Sequence, residues 1–448
     1  MSQKIEHRSG SAATSSVGLS VASKWVMFFV IALLVPIQIY LGGIRLSFYR
    51  VVLLLAIVPI AMRLISTNPI RLRLVDILII LFGLTGAFSL FMTDASVSAV
   101  GIFTLESLGP YFLARAFIRN SQQFSAMVRV LTTCIIVTIP FALYENVTRN
   151  PIILTVLGKV LPVLPNVPHE QRLGFDRAQV TFDHPILYGV FCALGFALAI
   201  YAVRPGPPPR LSILSGALVG FAAFLSLSSG AMVPVGLQGI LILYDRILSG
   251  FRQRWILLAA SFVTIYALVE SLSNRSMAQI AIPFLALNPG TAWTRLNVNE
   301  WAMSGIMAHP WFGFGFTMTW PTQFWIVTTS IDNFWLALAF RHGLPTMLLL
   351  LAAVACLLLS MIFTRQTDPF VNACRTGFVI TMVAICVAVI TVHFWNSVYC
   401  AFLFLLGSGA WMTEEQVESS DNTTKTDPPF SARQTVRYSR NFPAAYHR

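Results

Sequence analysis

Apolar residues dominate this chain in runs close to the ~20 residues that a helix needs to cross about 30 Å of hydrocarbon, and short polar caps separate them. Twelve runs fall at about 25–41, 48–65, 75–92, 97–114, 126–144, 183–203, 211–228, 231–245, 255–272, 333–364, 376–394 and 397–412. Two gaps in that rhythm are long, about 145–182 and 273–332. The pattern predicts an all-α polytopic membrane protein of about twelve transmembrane helices with two long loops on the outer side. Each loop bears a short helix, one within Pro151 to Leu164 and the other over Arg295 to Ala308. Pro36, Pro59, Pro140 and Pro234 lie inside runs and read as kinks that neighbouring helices accommodate. The segment LSLSSGAMVPVG (Leu225 to Gly236) is rich in small residues, which lets helices approach closely in a bilayer; a groove for a lipid substrate is the sharper alternative.

Composition agrees with a membrane protein. The chain is 56% hydrophobic and 11% charged. Its net charge of +12 would suggest nucleic acid in a soluble protein. Here the basic residues sit in short caps, and most of the 30 lysines and arginines fall on one side when both ends are placed inside. That is the positive-inside bias, so no nucleic-acid role is read. The same count puts both long loops outside. Residues 1–24 and 413–448 are polar and read as disordered cytoplasmic ends, flanking a transmembrane domain over 25–412. The six cysteines lie in or beside apolar runs without a CxxC pair, and indicate neither disulfide nor metal site.

Candidate chemistry concentrates in the outer loops. The first ends with His169, Glu170, Arg172, Asp176, Arg177, Asp183 and His184; charges at a bilayer boundary are costly unless they pair or line a cavity. The second carries Arg275, Arg295, Glu300, His309 and Asp332, and is followed by Arg341 and His342, just before Gly343 and Pro345, where the helix should break. On a helix, Arg295 and Asn299 lie one turn apart on one side while Glu300 lies well round the cylinder. His309, in AHPWFGFGF, reads as the brace of a sharp turn or as a substrate contact. Trp293, Trp301, Trp311, Trp320, Trp325 and Trp335 suit an interfacial belt or stacking on sugar rings.

The segments RLGFDRAQVTFDHPILYGVFCALG, LSLSSGAMVPVG, TRLNVNEWAMSGIMAHPWFGFGF and IDNFWLALAFRHGLPTMLLLL follow one another in a recognisable order and spacing. Over about residues 170–365 the chain resembles the O-antigen ligase and polymerase superfamily, closest to its exopolysaccharide-polymerase branch. The resemblance implies an integral-membrane glycosyltransferase of the bacterial inner membrane, acting at the periplasmic face without metal or cofactor. Its substrate would be a glycan on undecaprenyl diphosphate. A polymerase passes the glycan to a second lipid-linked repeat unit, and a ligase passes it to lipid A core. A transporter of lipid-linked sugars is the alternative of another class. Polymerases of this type usually operate beside a flippase and a chain-length regulator.

Arg177 and Arg295 match the family positions implied to hold the diphosphate. Asp332 stands where many ligases of this family have histidine; a carboxylate can serve as base there, but the departure weakens the ligase reading. Arg172, His184, Asn299, His309 and Arg341 are further candidates for substrate contact. A departing diphosphate gathers negative charge, which a guanidinium meets with two parallel hydrogen bonds, and arginine stays charged where lysine would not. This reading requires Arg177 and Arg295 to converge on one hollow open to the outer leaflet.

Overall fold

The computed structural model describes residues 21–41, 44–65, 72–167, 169–204, 212–251, 253–274, 279–280, 289–316, 330–364 and 366–413. Arg275, Trp320, Trp325, most of the amino-terminal segment and the tail from 414 lie outside the described residues.

The chain opens with α1 (Val21–Ala32), then β1 (Gln38–Leu41) and β2 (Ile44–Ser47). Four helices follow: α2 (Phe48–Ile65), α3 (Leu74–Met92), α4 (Val97–Phe117) and α5 (Ser121–Thr148). The first loop holds the short α6 (Ile152–Leu157), and α7 (Pro185–Tyr201), α8 (Ile213–Leu225), α9 (Ser229–Ile247) and α10 (Arg254–Leu272) come next. The second loop holds α11 (Pro289–Ala308), before α12 (Phe334–His342), α13 (Leu344–Phe363), α14 (Pro369–Ala388) and α15 (Asn396–Ser408). Seven of these, α2, α3, α4, α5, α10, α13 and α14, are long and apolar enough to cross a membrane, and α7 and α8 are shorter apolar helices. The chain is therefore a helical protein of the multi-pass membrane type.

Among the described residues seven of the twelve predicted spans hold a helix long and apolar enough to cross, and two runs are built differently from the prediction. The run at 25–41 is not one helix: α1 stops at Ala32, and the remainder turns into an antiparallel hairpin that pairs Gln38 with Ser47 and Leu41 with Ile44. Pro36 has no donor to continue a helix. Its carbonyl instead accepts from Leu164 at 3.2 Å, while Gln38 N–H donates to Pro162 at 2.8 Å, so the hairpin edge is tied to the first long loop. The run at 333–364 is two helices, broken at Gly343 as its Gly and Pro suggested. Gly343 has φ +81°, and a Cβ there would collide with the Trp311 carbonyl.

The core runs through α7, whose side chains are almost all buried, packed on α8, α9 and α14. Small residues permit that approach: Gly189 of α7 abuts Ala231 and Ser226 in the LSLSSGAMVPVG segment. That segment is a tight helix-to-helix turn and a close-packing seam. Elsewhere α15 packs on α4, α13 on α3, and α11 on α12.

The two ends of the bundle differ in character. At one, Arg73 donates to Thr413 at 2.7 Å, Arg375 to the carbonyls of Met412 and Thr364, and Arg115 pairs with buried Asp76 at 3.2 Å. At the other, the carboxyl end of α5 meets the first loop, and the amino ends of α7, α12 and α15 gather.

Candidate functional site

The first loop reaches α7 along a path fixed by the end of α5. Glu145 accepts from the backbone N–H of Gln179 at 3.0 Å and of Val180 at 2.9 Å, and Asn146 donates to the Leu225 carbonyl at 3.0 Å. A turn with Leu173 and Gly174 at positive φ then sets Arg172, which donates to the Leu227 carbonyl at 3.1 Å. Arg177 follows, half-buried.

The Arg177 guanidinium is left unsatisfied. Its Nε and Nη2 are shielded from solvent and make no hydrogen bond among the described residues. With Glu145, Arg149, His169, Asp176 and Gln179 it lines a cavity of about 200 Å³. Of the acids there, Glu145 holds backbone, while Asp176 accepts from Gln171 at 3.2 Å through Oδ2 and faces Arg149 at 3.5 Å through an Oδ1 that is buried without a hydrogen bond among the described residues. Burial first, and Arg172 second, push the Arg177 guanidinium down to about 10, against a partial offset from Glu170. Arg172 is likewise lowered by burial and then by Arg295, with Glu170 opposing. Burial alone penalises charge of either sign; it is the like charge of the neighbouring arginines that favours an anion entering this environment.

Arg295 arrives from the second loop. Its helix α11 buries Val298, Ala302 and Ile306 against Ala337, Ala339 and Phe340 of α12, a stripe at the spacing of one helix face. This contact carries Arg295 to the start of α12, where its Nε lies 3.5 Å from Asp332 Oδ2 without the alignment of a hydrogen bond. Asp332 is 40% exposed at its side chain and accepts from Ser330 at 2.9 Å. Asn333 caps α12 through Leu336 N–H at 3.2 Å. Asn299 is half-buried, and Glu300 points to solvent.

Arg172, Arg177, Arg295 and Asp332 are thus drawn into one neighbourhood, with Arg172 electrostatically linked to both other arginines. Among the described residues Arg295 lines neither the 200 Å³ cavity nor the larger one described below, and it faces Asp332.

His184 and His309 both sit at helix ends. His184 caps α7, its Nδ1 accepting from Ile186 N–H at 3.1 Å, and its ring lies 4.4 Å from that of His169. His309 sits at the carboxyl end of α11, where its carbonyl accepts from Gly313 at 3.0 Å and its ring meets Phe314 edge-on at 4.4 Å. The turn it braces is laced to the end of α12: Phe314 N–H donates to Phe340, Gly315 to Arg341, and Leu344 to Pro310.

That lacing positions Arg341. Its side chain is exposed, stands 5.7 Å from the Phe316 ring, and lines a cavity of about 430 Å³. The same cavity is lined by Arg45, Arg50, Glu106, His342 and His393. Arg50 donates to Glu106 at 2.8 Å, to the Arg45 carbonyl at 2.8 Å and to Asn396 at 3.5 Å, and Tyr49 donates to Glu106 at 2.6 Å. Asn396 also donates to Asp183 at 3.1 Å. Rings join this cavity to the arginine cluster, from His184 to Trp395 at 6.3 Å and from Trp395 to His393 at 5.7 Å.

Arg45, Arg50, His393, Trp395 and Asn396 were not foreseen. Arg50 and Glu106 did carry a signal: each is an ionisable residue inside an apolar run, and their charges are opposite. No protein-family model matches this chain, and no curated protein matches it either.

Proposed function

We propose that the chain is a metal-independent glycosyltransferase that polymerises undecaprenyl-diphosphate-linked repeat units into an exopolysaccharide or O-antigen-type polysaccharide. In this reading the arginine-cluster end faces the periplasm, the cation-capped end with both termini faces the cytoplasm, and the membrane is the bacterial inner membrane. The substrate class comes from the resemblance of residues 170–365.

One observation carries the chemical part. Arg172 is electrostatically linked to both Arg177 and Arg295, and the half-buried Arg177 has shielded donors without partners among the described residues. Like charges held close and partly desolvated are unfavourable unless a polyanion completes the set. A diphosphate does so, and most strongly when it leaves. The acceptor hydroxyl oxygen bonds to the anomeric carbon as the bond from that carbon to the diphosphate oxygen breaks. The electron pair moves onto the diphosphate, where Arg177 and Arg295 meet it. Asp332 takes the hydroxyl proton, within reach of the donors on Arg295 that stabilise the leaving group.

The test is reconstitution of the purified chain in vesicles with a defined undecaprenyl-diphosphate oligosaccharide. Longer lipid-linked glycans are the expected product. Transfer only to added lipid A core would make the chain a ligase, and translocation without new glycosidic bonds would make it a transporter.

A further inference from the structure

The cavity of about 430 Å³ is lined by none of Arg172, Arg177 and Arg295, and its wall mixes three kinds of group. Arg45 and Arg341 supply exposed guanidiniums that make no ion pair and no side-chain hydrogen bond among the described residues. Every Asp and Glu between Val21 and Thr413 is a described residue, so no acid of that stretch is left to neutralise them. Arg50 is held by Glu106 in a buried pair. Tyr49 and Arg50 both donate to Oε1 of Glu106, which leaves its Oε2 without a hydrogen bond among the described residues. Rings make the rest of the wall: Phe316 is 55% exposed, and Phe103, Phe394 and Trp395 line the cavity with it.

Each kind of group selects a chemical feature. With Arg50 and Glu106 cancelling, two positive charges remain uncompensated, and a guanidinium meets a carboxylate with two parallel hydrogen bonds. A carboxylate oxygen only accepts, so Oε2 of Glu106 needs a donor on the ligand. The rings suit a ligand with a flat apolar face. An ionised phosphate or diphosphate brings no donor and sets its own oxygens against Glu106. A simple carboxylic acid leaves the rings uncovered, and a neutral sugar leaves Arg45 and Arg341 unpaired. A sugar that bears a carboxylate meets all three demands, with its C–H face on the rings and a hydroxyl toward Glu106. The volume lies in the range of small-molecule sites, ~300–1,000 Å³.

We propose that this cavity binds a hexuronic acid residue of a glycan. Arg45, on the hairpin, and Arg341, at the break between α12 and α13, take the carboxylate, and Glu106 takes a ring hydroxyl. This role rests on the function proposed above and adds a charge preference to it: the repeat unit that the chain elongates is acidic.

Binding tests the site without turnover. The full chain, purified in micelles, is titrated by ligand-observed NMR with methyl glucuronoside and methyl galacturonoside, and with the matching neutral methyl glucoside and methyl galactoside. At least one uronide is expected to bind about tenfold or more tightly than its neutral counterpart. Arg45→Gln and Arg341→Gln should each reduce that preference and together erase it, whereas Arg177→Gln should leave it intact. Both cavity arginines are exposed and without ion pairs among the described residues, so the folded state should survive their loss. The site is overturned if neither uronide outbinds its neutral counterpart, if the double variant keeps the preference, or if Arg177→Gln removes it. Acetate competing as well as the uronide would overturn the sugar assignment, and so would inorganic pyrophosphate competing better. The two readings fail separately. Uronide binding through this cavity by a chain that makes no glycan sinks the transferase reading alone; elongation by a chain that binds no uronide sinks the cavity alone.

Discussion

Arg295 of α11 and Asp332, just ahead of α12, face each other at 3.5 Å, so the basic and acidic candidates of the second loop are neighbours in space. In the proposed transfer Asp332 would be the base and Arg295 its neighbour, whose Nε makes no hydrogen bond among the described residues. Asp332→Asn keeps the shape and removes the base. Glycan transfer in a single-turnover assay should fall by roughly 10²–10⁴-fold, the usual range for a lost general base. The double substitution with Arg295→Gln should be far from additive. Transfer by Asp332→Asn at the unaltered rate would move the proton elsewhere.

Arg177 pays for its position in desolvation, with two donors unmet. Arg177→Gln should therefore abolish transfer while leaving the thermal midpoint unchanged or slightly raised, as happens where a site holds strain for function. A drop of many degrees would show that Arg177 is structural.

Glu106 is buried in α4 and satisfies Arg50 and Tyr49. Removing one partner of a buried pair costs about 3–5 kcal/mol, because the other charge is left without compensation. Glu106→Ala should be strongly destabilising in a detergent melt, and Arg50→Met added to it should restore part of the loss. Full stability in the single substitution would contradict the pairing.

Gly343 sets the break between α12 and α13 with φ +81°. Gly343→Ala forces a Cβ toward the Trp311 carbonyl and should cost at least about 1–3 kcal/mol, read as a lower melting temperature and faster proteolysis at the 309–316 turn. An unaffected melt would mean that the turn is not braced as described.

His169 is held below its usual 6.5 by burial first and Arg177 second. With the folded value depressed, the unfolded chain binds the proton first as pH falls. Stability is then lost from about 6.5 downward, toward the lower folded value. His169→Gln should flatten that part of a stability profile against pH, and an unchanged slope would show that another group sets it.

Seven of the twelve spans were legible because a bilayer imposes one demand on every crossing segment, and runs such as 48–65 or 75–92 meet it openly. The break at Gly343 was announced by its Gly and Pro. The hairpin after α1 was not, since its edge is completed by Pro162 and Val163, far along the chain. The neighbourhood of Arg172, Arg177, Arg295 and Asp332 could be guessed only from loop positions. The larger cavity was hidden for a related reason: Arg45, His393 and Asn396 lie in short connections between spans, and only the meeting of helix ends brings them beside Arg341.

The most direct measurement compares lipid-linked product lengths from vesicles holding equal, properly inserted amounts of the unaltered chain and of Arg177→Gln, each supplied with one defined undecaprenyl-diphosphate repeat unit. The account predicts a ladder of elongated lipid-linked glycans from the first and the starting unit alone from the second. A full ladder from Arg177→Gln, or none from the unaltered chain, would contradict it.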